Sequence, residues 1–374
     1  MLIISIIIII IYFIALMWFS NSIYYFKNNN QNHNNYVSII IAAHNEENNL
    51  PILLNSLIKQ DYADGQYEII IANDRSIDNS EKIIKSYQLK STNIQTININ
   101  DTPIGWSNKK WALNEAIKVA KSNIIVQIDA DCKPGPNWLI SIASHFKDSK
   151  TGFVCGASPL IHKDSFLNNI FQMESLIQES INAGAIINNL AISCTGRNIA
   201  FRKDIFNQVG GYIGNENIMS GDDDLLLQKF ALQSNKKIRY SINSDSLVDS
   251  CAPISFKNFI KQRLRFASKG LLYYNIKTTI ELKSTIVILF LTNLVFIFSF
   301  FNLFSINNLF YIIPVGIKVL ADFSLSWIFI NRLGRYWSLS AFTILTILHP
   351  FYIIIIGSLG PLLKVQWKSN TLNK

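Results

Sequence analysis

The segment IIVQIDAD, residues 124–131, joins a short apolar run to two carboxylates that follow it directly. An apolar run of this length is typical of a buried strand. Asp129 and Asp131 therefore emerge at a strand end with one residue between them. Two carboxylates in that setting suit Mg²⁺ or Mn²⁺, because these ions prefer hard oxygen ligands. A surface turn would explain an isolated Asp-x-Asp equally well, so the strand before it is the feature that indicates a functional site.

Strands and helices alternate on the N-terminal side of this segment. The pattern predicts strands over residues 37–43, 68–72, 94–99 and 124–128, and helices over residues 48–60, 80–89 and 109–121. This alternation is typical of an α/β fold in which helices cover a parallel sheet. Ligands of such sheets bind beyond the carboxyl ends of the strands, where His44-Asn45, Asn73-Asp74 and Asp129–Asp131 are expected to meet.

A second acidic cluster lies further along the chain, in a region of mixed pattern. That region predicts strands over residues 153–155 and 198–201, a helix over residues 166–188 and a helix that opens at residue 222. Asp222, Asp223 and Asp224 are consecutive at this last helix start. N-capping and the helix dipole explain one or two acids there. Three adjacent carboxylates also repel one another, which predicts a raised pKa and suits a general base.

Other polar side chains are candidates for nucleotide contacts. Asp74 follows a strand and can accept hydrogen bonds from a base or ribose, although a helix cap is an equal explanation. Lys109 or Lys110 can reach a phosphate, and Trp106 can stack on a sugar or base unless it belongs to a packed aromatic loop. The five histidines form no ligand cluster, and the four cysteines are too widely spaced for a zinc site or a disulfide framework, which predicts reduced thiols.

Gln262 and Arg265 lie three positions apart in a predicted amphipathic helix, Phe256 to Leu272. Arginine suits a diphosphate because its planar fork donates hydrogen bonds in pairs. Contact with anionic lipid is the alternative for this basic stretch. The chain has a net charge of +9, and many of its basic residues lie beside the second apolar region. This clustering favours a membrane over nucleic acid as the partner.

Four apolar stretches enclose the α/β region. Residues 1–26 carry no charge and lack a signal-peptide cleavage site, which predicts an uncleaved anchor that crosses the bilayer. Stretches near residues 284–306, 309–330 and 338–363 are each long enough to cross. Within the third stretch, Lys318 and Asp322 are four apart, which predicts a pair used for lipid-headgroup contact or helix assembly.

Basic residues predict the orientation of these spans. Lys27, the basic cluster before the second stretch, and Arg332 with Arg335 after the third all place the α/β region on the cytoplasmic side of the inner membrane. Four complete crossings would place Lys364 and Lys368 on the side of the membrane opposite to the cytoplasm. Because Pro350 interrupts the last stretch, a complete crossing by that stretch is left open.

Taken in chain order, the motifs resemble family 2 of the glycosyltransferases, including its ceramide glucosyltransferase-like and carotenoid-type members. The resemblance covers roughly residues 37–270 and rests on Ala43-His44-Asn45-Glu46, Asn73-Asp74-Arg75-Ser76, Lys109 with Ala112-Leu113-Asn114, Asp129-Ala130-Asp131, Thr195-Gly196-Arg197-Asn198, Gly221-Asp222-Asp223 and Gln262–Phe266. Each motif is loose, but their number, order and spacing are specific in combination. Asn73 stands where the family often has Asp, and Phe266 where it usually has Trp.

The resemblance implies a GT-A domain, a Rossmann-like nucleotide-diphosphosugar transferase fold, between membrane helices. The corresponding divisions are an anchor over 1–26, a linker over 27–36, the GT-A domain over 37–254, an amphipathic interfacial region over 255–283, about three transmembrane helices over 284–363 and a tail over 364–374. The implied partners are a nucleotide-sugar donor, a lipid acceptor and the membrane, without nucleic acid.

The resemblance also implies a role for each matched residue. The expected nucleotide-sugar-binding set is Ala43, Asn45, Glu46, Asp74, Lys109, Asp129, Gln262, Arg265 and Phe266; the metal ligands are Asp131 and Asp129; the acceptor set is Gly196, Arg197 and Asn198. Asp223 is the implied catalytic base, with Asp222 in the position of the family's preceding Glu. Asp74 would recognise the uridine part of the donor.

The implied reaction is inverting transfer of one sugar from a UDP-sugar to a lipid acceptor, assisted by Mg²⁺ or Mn²⁺. Asp223 would remove the proton of the acceptor hydroxyl while the metal-bound nucleoside diphosphate leaves from the opposite face. The small number of C-terminal spans favours single addition over a processive polysaccharide synthase. A membrane nucleotidyltransferase and a non-enzymatic membrane scaffold are the two remaining hypotheses. The sequence does not specify the sugar, the acceptor, the preferred metal or the oligomeric state.

Overall fold

The computed structural model describes residues 2–27, 35–63, 65–304 and 309–362. It contains two compact units, an α/β unit of residues 27–161 and 193–251 and a helical unit of residues 1–26, 162–192 and 252–374. Predictions about most of the linker, residues 28–34, and about the tail with Lys364 and Lys368 fall outside the described residues.

The helices and strands of the described residues are as follows. The helices are α1 (Leu2–Tyr24), α2 (Leu50–Leu57), α3 (Ser80–Gln88), α4 (Asn108–Val119), α5 (Trp138–Ala143), α6 (Ser165–Ile187), α7 (Lys203–Gln208), α8 (Asp224–Gln233), α9 (Phe256–Ala267), α10 (Leu272–Asn275), α11 (Ile280–Leu303), α12 (Ile312–Arg332) and α13 (Leu339–Leu359). The strands are β1 (Val37–Ala43), β2 (Tyr67–Asp74), β3 (Ile94–Ile99), β4 (Ile124–Gln127), β5 (Cys132–Pro134), β6 (Thr151–Gly156), β7 (Leu160–Ile161), β8 (Ile199–Arg202), β9 (Lys237–Ser241) and β10 (Val248–Cys251).

The main sheet of the α/β unit has the strand order β3-β2-β1-β4-β8-β6-β9. β3, β2, β1 and β4 run parallel to their neighbours within this half of the sheet, while β8 is antiparallel to both β4 and β6. β1, β2 and β4 are largely apolar because both faces of the sheet are covered there, and Ile39, Ile69 and Val126 are fully buried. The predicted parallel sheet and α/β class are confirmed.

The sheet register brings the predicted strand ends together. Ala43 at the end of β1 pairs with Asn73 in β2, and Ile40 in β1 pairs with Gln127 at the end of β4. Since β2, β1 and β4 are adjacent and parallel, the segments that follow them leave the same edge of the sheet. This edge is the one at which ligands of open α/β sheets bind.

Some predicted bounds differ from the structure. The helix expected from Asp222 begins at Asp224, because the Asp223 side chain caps it by accepting a hydrogen bond from the Asp224 amide at 2.7 Å. The amphipathic helix expected to reach Leu272 ends at Ala267. A second sheet of order β5-β10-β7 was not predicted, because its strands are only two to four residues long. All four cysteines are free thiols, as predicted.

The helical unit contains four helices long and apolar enough to cross a membrane, Leu2–Tyr24, Ile280–Leu303, Leu309–Arg332 and Leu339–Leu362, within the residues that the structure describes. α1 packs against α12, α6 and α11. The Arg332 guanidinium at the end of α12 donates to the carbonyls of Tyr24 and Phe26 at the end of α1. The C-terminal ends of α1 and α12 therefore lie on the same side of this unit, as the prediction from Lys27 and Arg332 requires.

A charged cluster joins α1 to α12 inside the helical unit. Lys318 Nζ donates to Asp322 Oδ2 at 2.7 Å, and the Tyr12 hydroxyl donates to Asp322 Oδ1 at 2.5 Å. Lys318 and Tyr12 are 4% and 5% exposed. Because Asp322 accepts from two helices at once, this arrangement supports helix assembly, the second of the two uses predicted for the pair.

We expect Lys318→Met to lower the free energy of unfolding of the detergent-solubilised protein by about 3 kcal/mol, because it removes the cation from a buried carboxylate. The double variant Lys318→Met/Asp322→Leu should recover most of that loss, since removing both charges of a buried pair is often close to neutral. Thermal unfolding followed by fluorescence measures the stability of both variants. Lys257→Met is the control, because Lys257 is exposed. Equal losses in the single and double variants would contradict the assigned pairing.

Candidate active site

Lys109 is at the centre of the acid-rich site in the α/β unit. It lies in the first turn of α4, and its Nζ is 2.8 Å from Asp129 Oδ1 and 2.9 Å from Asp222 Oδ2. Burial alone would lower the pKa of Lys109, but the charges and hydrogen bonds of the two carboxylates raise the pKa well above its usual value. Lys109 is therefore a fixed cation that joins the end of β4 to the segment before α8.

Asp222 is an anion at neutral pH. Burial works to raise its pKa, but the Lys109 ammonium outweighs burial and lowers the pKa of Asp222 to about 2. Its Oδ2 also accepts a hydrogen bond of 3.0 Å from Gln127 Nε2. The expected raised pKa from crowded acids is therefore wrong for Asp222, because a lysine that is distant in sequence supplies the compensating charge.

Asp223 holds two backbone amides with its two carboxylate oxygens. Oδ1 accepts from the Asp224 amide at 2.7 Å, and Oδ2 accepts from the Gly196 amide at 2.8 Å. The first bond caps α8 and the second ties Asp223 to the Thr195-Gly196-Arg197-Asn198 segment. Gly221, at φ +84°, makes the turn that leads into these acids.

Gly196 lies so close to the acid pair that a Cβ atom there would require the acids to shift by a few tenths of an ångström. A Cβ atom there would be 3.1 Å from Asp222 Oδ2 and 3.2 Å from Asp223 Cβ. The short approach lets the Gly196 amide reach Asp223, so the glycine is part of how the pair is placed.

We expect Gly196→Ala to reduce sugar transfer about 10-fold or more, because overpacking of roughly 1–3 kcal/mol would shift the acids. Gly135→Ala is the matched control, since a Cβ there meets nothing within 4 Å. Initial rates with both purified variants measure the difference. A transfer rate in Gly196→Ala equal to that of the natural protein would contradict the expected effect of shifting the acids.

Asp129 and Asp131 provide the oxygen donors expected for a metal site. Burial and the neighbouring Asp129 carboxylate raise the pKa of Asp131, against the opposing charge of Arg197. Two carboxylates that crowd one another in this way are a donor set that a divalent cation would satisfy. No group of three or more His, Cys, Asp or Glu side chains suited to a metal occurs among the residues that the structure describes. Such a pair fits Mg²⁺ or Mn²⁺, which commonly binds one or two carboxylates together with substrate phosphates.

The ends of β1 and β2 are joined by hydrogen bonds. Asp74 is 5% exposed and accepts from Arg75 Nε at 2.8 Å, while its carbonyl is 2.5 Å from His44 Nδ1.

The amide of Asn45, a residue at φ +56°, donates to Ser76 Oγ, and Asn45 Oδ1 accepts from the Ile77 amide. The Glu46 amide donates to Ser80 Oγ at 2.9 Å. Ala43 is buried at the end of the strand itself.

The predicted acceptor residues differ in accessibility. Asn198 is fully buried; its Oδ1 accepts from Trp138 Nε1 at 3.0 Å, and its Nδ2 donates to the carbonyls of Ala157 and Ser246. Its contribution to the site is therefore to hold the segment rather than to contact a ligand. Arg197 is half-buried and its Nε donates to Thr195 Oγ1 at 3.0 Å. Gly196 contacts the acid pair, as described above.

Gln262, Arg265 and Phe266 lie on α9 in the helical unit. Arg265 is half-buried, with its guanidinium 5.1 Å from the ring centre of Phe266. Gln262 Oε1 is buried without a hydrogen-bond partner among the described residues. Arg263 forms a buried ion pair with Glu174 of α6. The assignment of Gln262, Arg265 and Phe266 to the donor stays a prediction.

Sequence reasoning missed Gln127, which contacts an acid, and Tyr212, which contacts Gln127. Gln127 donates to Asp222, and the Tyr212 hydroxyl donates to Gln127 Oε1 at 3.2 Å. The available signal was a glutamine inside the apolar run IIVQI, where a buried polar side chain requires a partner. Of the two lysines considered for phosphate, Lys110 donates to the Asn215 carbonyl at 2.6 Å, which leaves Lys109 at the acids.

The sheet order, with a carboxylate pair after β4 and acids before α8, agrees with the predicted GT-A fold. The mannosyltransferase PcManGT of Pyrobaculum calidifontis, solved in complex with GDP-Man and Mn²⁺, superposes with a TM-score of 0.58 at 15% identity over 96% of this chain and 98% of that chain. This likeness confirms the predicted fold.

Residues 38–210 match the model of the family Glycosyl transferase family 2. The predicted resemblance to family 2 is therefore confirmed over these residues, which include the motifs up to Asn198 but neither the acids before α8 nor Gln262–Phe266. The poly(ribitol-phosphate) beta-glucosyltransferase of Bacillus spizizenii is 29% identical over 103 residues, which cover 28% of this chain and 16% of that protein. The aligned segment is thus a small part of that relative.

Proposed function

We propose that the protein is an inverting glycosyltransferase that moves one sugar from a nucleotide-diphosphosugar, a UDP-sugar, to a lipid acceptor. The observation that carries the proposal is the Lys109 ammonium, which bridges Asp129 after β4 and Asp222 beside Asp223. This contact supports the proposal, because Lys109 and Asp129, two of the residues expected at the diphosphate, share one charged cluster with Asp222, the neighbour of the expected base. The family 2 domain supports the reaction class.

The donor would bind along the carboxyl edge of the sheet. Asp74 would accept hydrogen bonds from the uridine part, and the β1 end, with Ala43, Asn45 and Glu46, would contact the nucleotide. Lys109 and Asp129 would hold ribose and diphosphate. Gln262, Arg265 and Phe266 complete the proposed donor-binding set.

Asp131 and Asp129 would hold Mg²⁺ or Mn²⁺. When bound, the metal would neutralise negative charge on the leaving diphosphate. Arg197 adds positive charge near Asp131.

Asp223 would accept the proton of the acceptor hydroxyl. The acceptor oxygen then forms a bond to the anomeric carbon, the bond from that carbon to the phosphate oxygen breaks, and the nucleoside diphosphate leaves with the electron pair. Asp222 stays ionised and holds Lys109, so it supports the base without taking the proton. One displacement of this kind inverts the configuration at the anomeric carbon.

The acceptor would be a lipid, and Gly196, Arg197 and Asn198 would form or support its binding site. Four helices suited to crossing a bilayer favour an acceptor drawn from the membrane. We place the protein in the inner membrane with the α/β unit in the cytoplasm, on the basis of Lys27, Arg332 and Arg335.

The test incubates membranes that contain the protein with a panel of labelled nucleotide sugars and native lipid extract. Mass spectrometry of the labelled lipid and identification of the released nucleotide decide the outcome. One sugar on a lipid together with nucleoside diphosphate supports the proposal. A ladder of oligomers would favour the processive synthase, and released pyrophosphate the nucleotidyltransferase.

We expect EDTA to abolish the labelled product, because it removes the proposed counter-ion of the diphosphate. Addition of Mg²⁺ or Mn²⁺ in excess should restore transfer, which the same assay measures. Full activity after EDTA treatment and dialysis would contradict the metal-assisted reaction.

A further inference from the structure

A buried hydrogen-bonded chain connects Tyr212 to the acid pair through Gln127. The Tyr212 hydroxyl donates to Gln127 Oε1 at 3.2 Å, and Gln127 Nε2 donates to Asp222 Oδ2 at 3.0 Å. Gln127 is 0% exposed and Tyr212 is 2% exposed. All three residues lie in the α/β unit.

The Asp222 carboxylate determines which end of the carboxamide faces it. An ionised carboxylate only accepts, so Nε2 faces Asp222 and Oε1 faces Tyr212, whose hydroxyl donates to it. The reverse orientation would place two oxygens, Oε1 and Asp222 Oδ2, against each other in a buried space, which is unfavourable. Tyr212 thus holds the Oε1 end of the side chain whose Nε2 donates to Asp222.

The Gln127 amide also reaches the other half of the acid pair. Nε2 is 3.4 Å from the Gly196 carbonyl, and the Gly196 amide donates to Asp223 Oδ2 at 2.8 Å. Asp222 Oδ2 accepts from Lys109 as well as from Gln127. The Gln127 side chain therefore contacts both Asp222, which holds Lys109, and Gly196, which holds Asp223.

We propose that Gln127 and Tyr212 are positioning residues for this active site: Tyr212 orients Gln127, and Gln127 places Asp222 and, through it, the Lys109 ammonium that receives the donor diphosphate. This inference rests on the proposed function, because the receiving of a diphosphate by Lys109 belongs to it. Neither residue touches the reacting atoms.

The test is a double-mutant cycle in the purified full chain, with the KM for the nucleotide sugar as the main readout. We expect Gln127→Leu to raise this KM about 30-fold, because the buried Asp222 carboxylate loses a hydrogen-bond donor. Tyr212→Phe should raise it about 5-fold, because the buried Gln127 amide loses the hydroxyl that donates to it. In the double variant the KM should equal that of Gln127→Leu alone, since Tyr212 acts only through Gln127. A variant that merely loses folded protein lowers apparent kcat and leaves KM unchanged.

Tyr67→Phe is the matched control, because it removes a buried hydroxyl that donates to the Leu57 carbonyl at 3.1 Å, at the opposite end of β2. Its KM should equal that of the natural protein. If Gln127→Leu does not fold, Tyr212→Phe alone carries the test by its KM. Unchanged KM values, or effects of Gln127→Leu and Tyr212→Phe that multiply, would overturn the inference. Absence of sugar transfer by the natural protein would instead overturn the proposed function.

Discussion

Asp223→Asn should lower sugar transfer by about 1,000-fold, because general-base catalysis typically contributes factors of about 10²–10⁴ and an amide cannot accept the acceptor proton. Asparagine is also a good helix N-cap, so α8 should remain capped, while the Gly196 amide loses its acceptor because asparagine has only one side-chain oxygen. The measurement is the initial rate of labelled lipid formation at saturating donor, together with thermal unfolding of the same preparation.

Asp164→Asn is the matched control for this variant. Asp164 caps α6 through hydrogen bonds from the Phe166 and Leu167 amides, so the same chemical change is made at another helix start. Because both amides donate to the same oxygen of Asp164, the control keeps both bonds and should show a smaller change in unfolding temperature and an unchanged rate. Comparable rates in Asp223→Asn and the natural protein would remove Asp223 from the role of base.

Lys109→Met should lower kcat/KM for the nucleotide sugar by about 100-fold or more, because loss of a buried ion-pair partner costs about 3–5 kcal/mol and leaves Asp222 without its cation. The loss should fall mainly on the donor KM, since the proposed ligand of Lys109 is the diphosphate. Steady-state kinetics with varied donor concentration separates the two constants.

Lys118→Met, on the same helix, is the corresponding control. Lys118 is largely exposed and pairs with Glu115, so its loss should change neither constant. If folded Lys109→Met has an unchanged KM for the donor, Lys109 does not contact the donor and its role is structural only.

The strands of the parallel half of the sheet could be predicted from sequence with small errors. β1 and β3 have the predicted bounds, because polar residues close each run: His44 follows β1, and Asn93 and Asn100 flank β3. β5, β7 and β10 could not be predicted, since strands of two to four residues contain too few positions for a periodic pattern.

The candidate site could be predicted as a set of residue types but not as a set of contacts. The Asp-x-Asp after a strand and the acids before α8 were visible because the context that marks them is close in sequence. The contacts of Lys109 with Asp129 and Asp222 were not, because they depend on the sheet order. For the same reason the pKa of Asp222 was predicted in the wrong direction.

The hydrogen bond between Tyr12 and Asp322 spans 310 positions of the chain. At ribosomal speeds of about 5–20 residues per second, Tyr12 would wait roughly 15–60 seconds before Asp322 is synthesised. α1 also packs against α6, which is synthesised much earlier, so its packing can begin before this hydrogen bond forms. The bond to α12 is therefore a late step in the assembly of the helical unit.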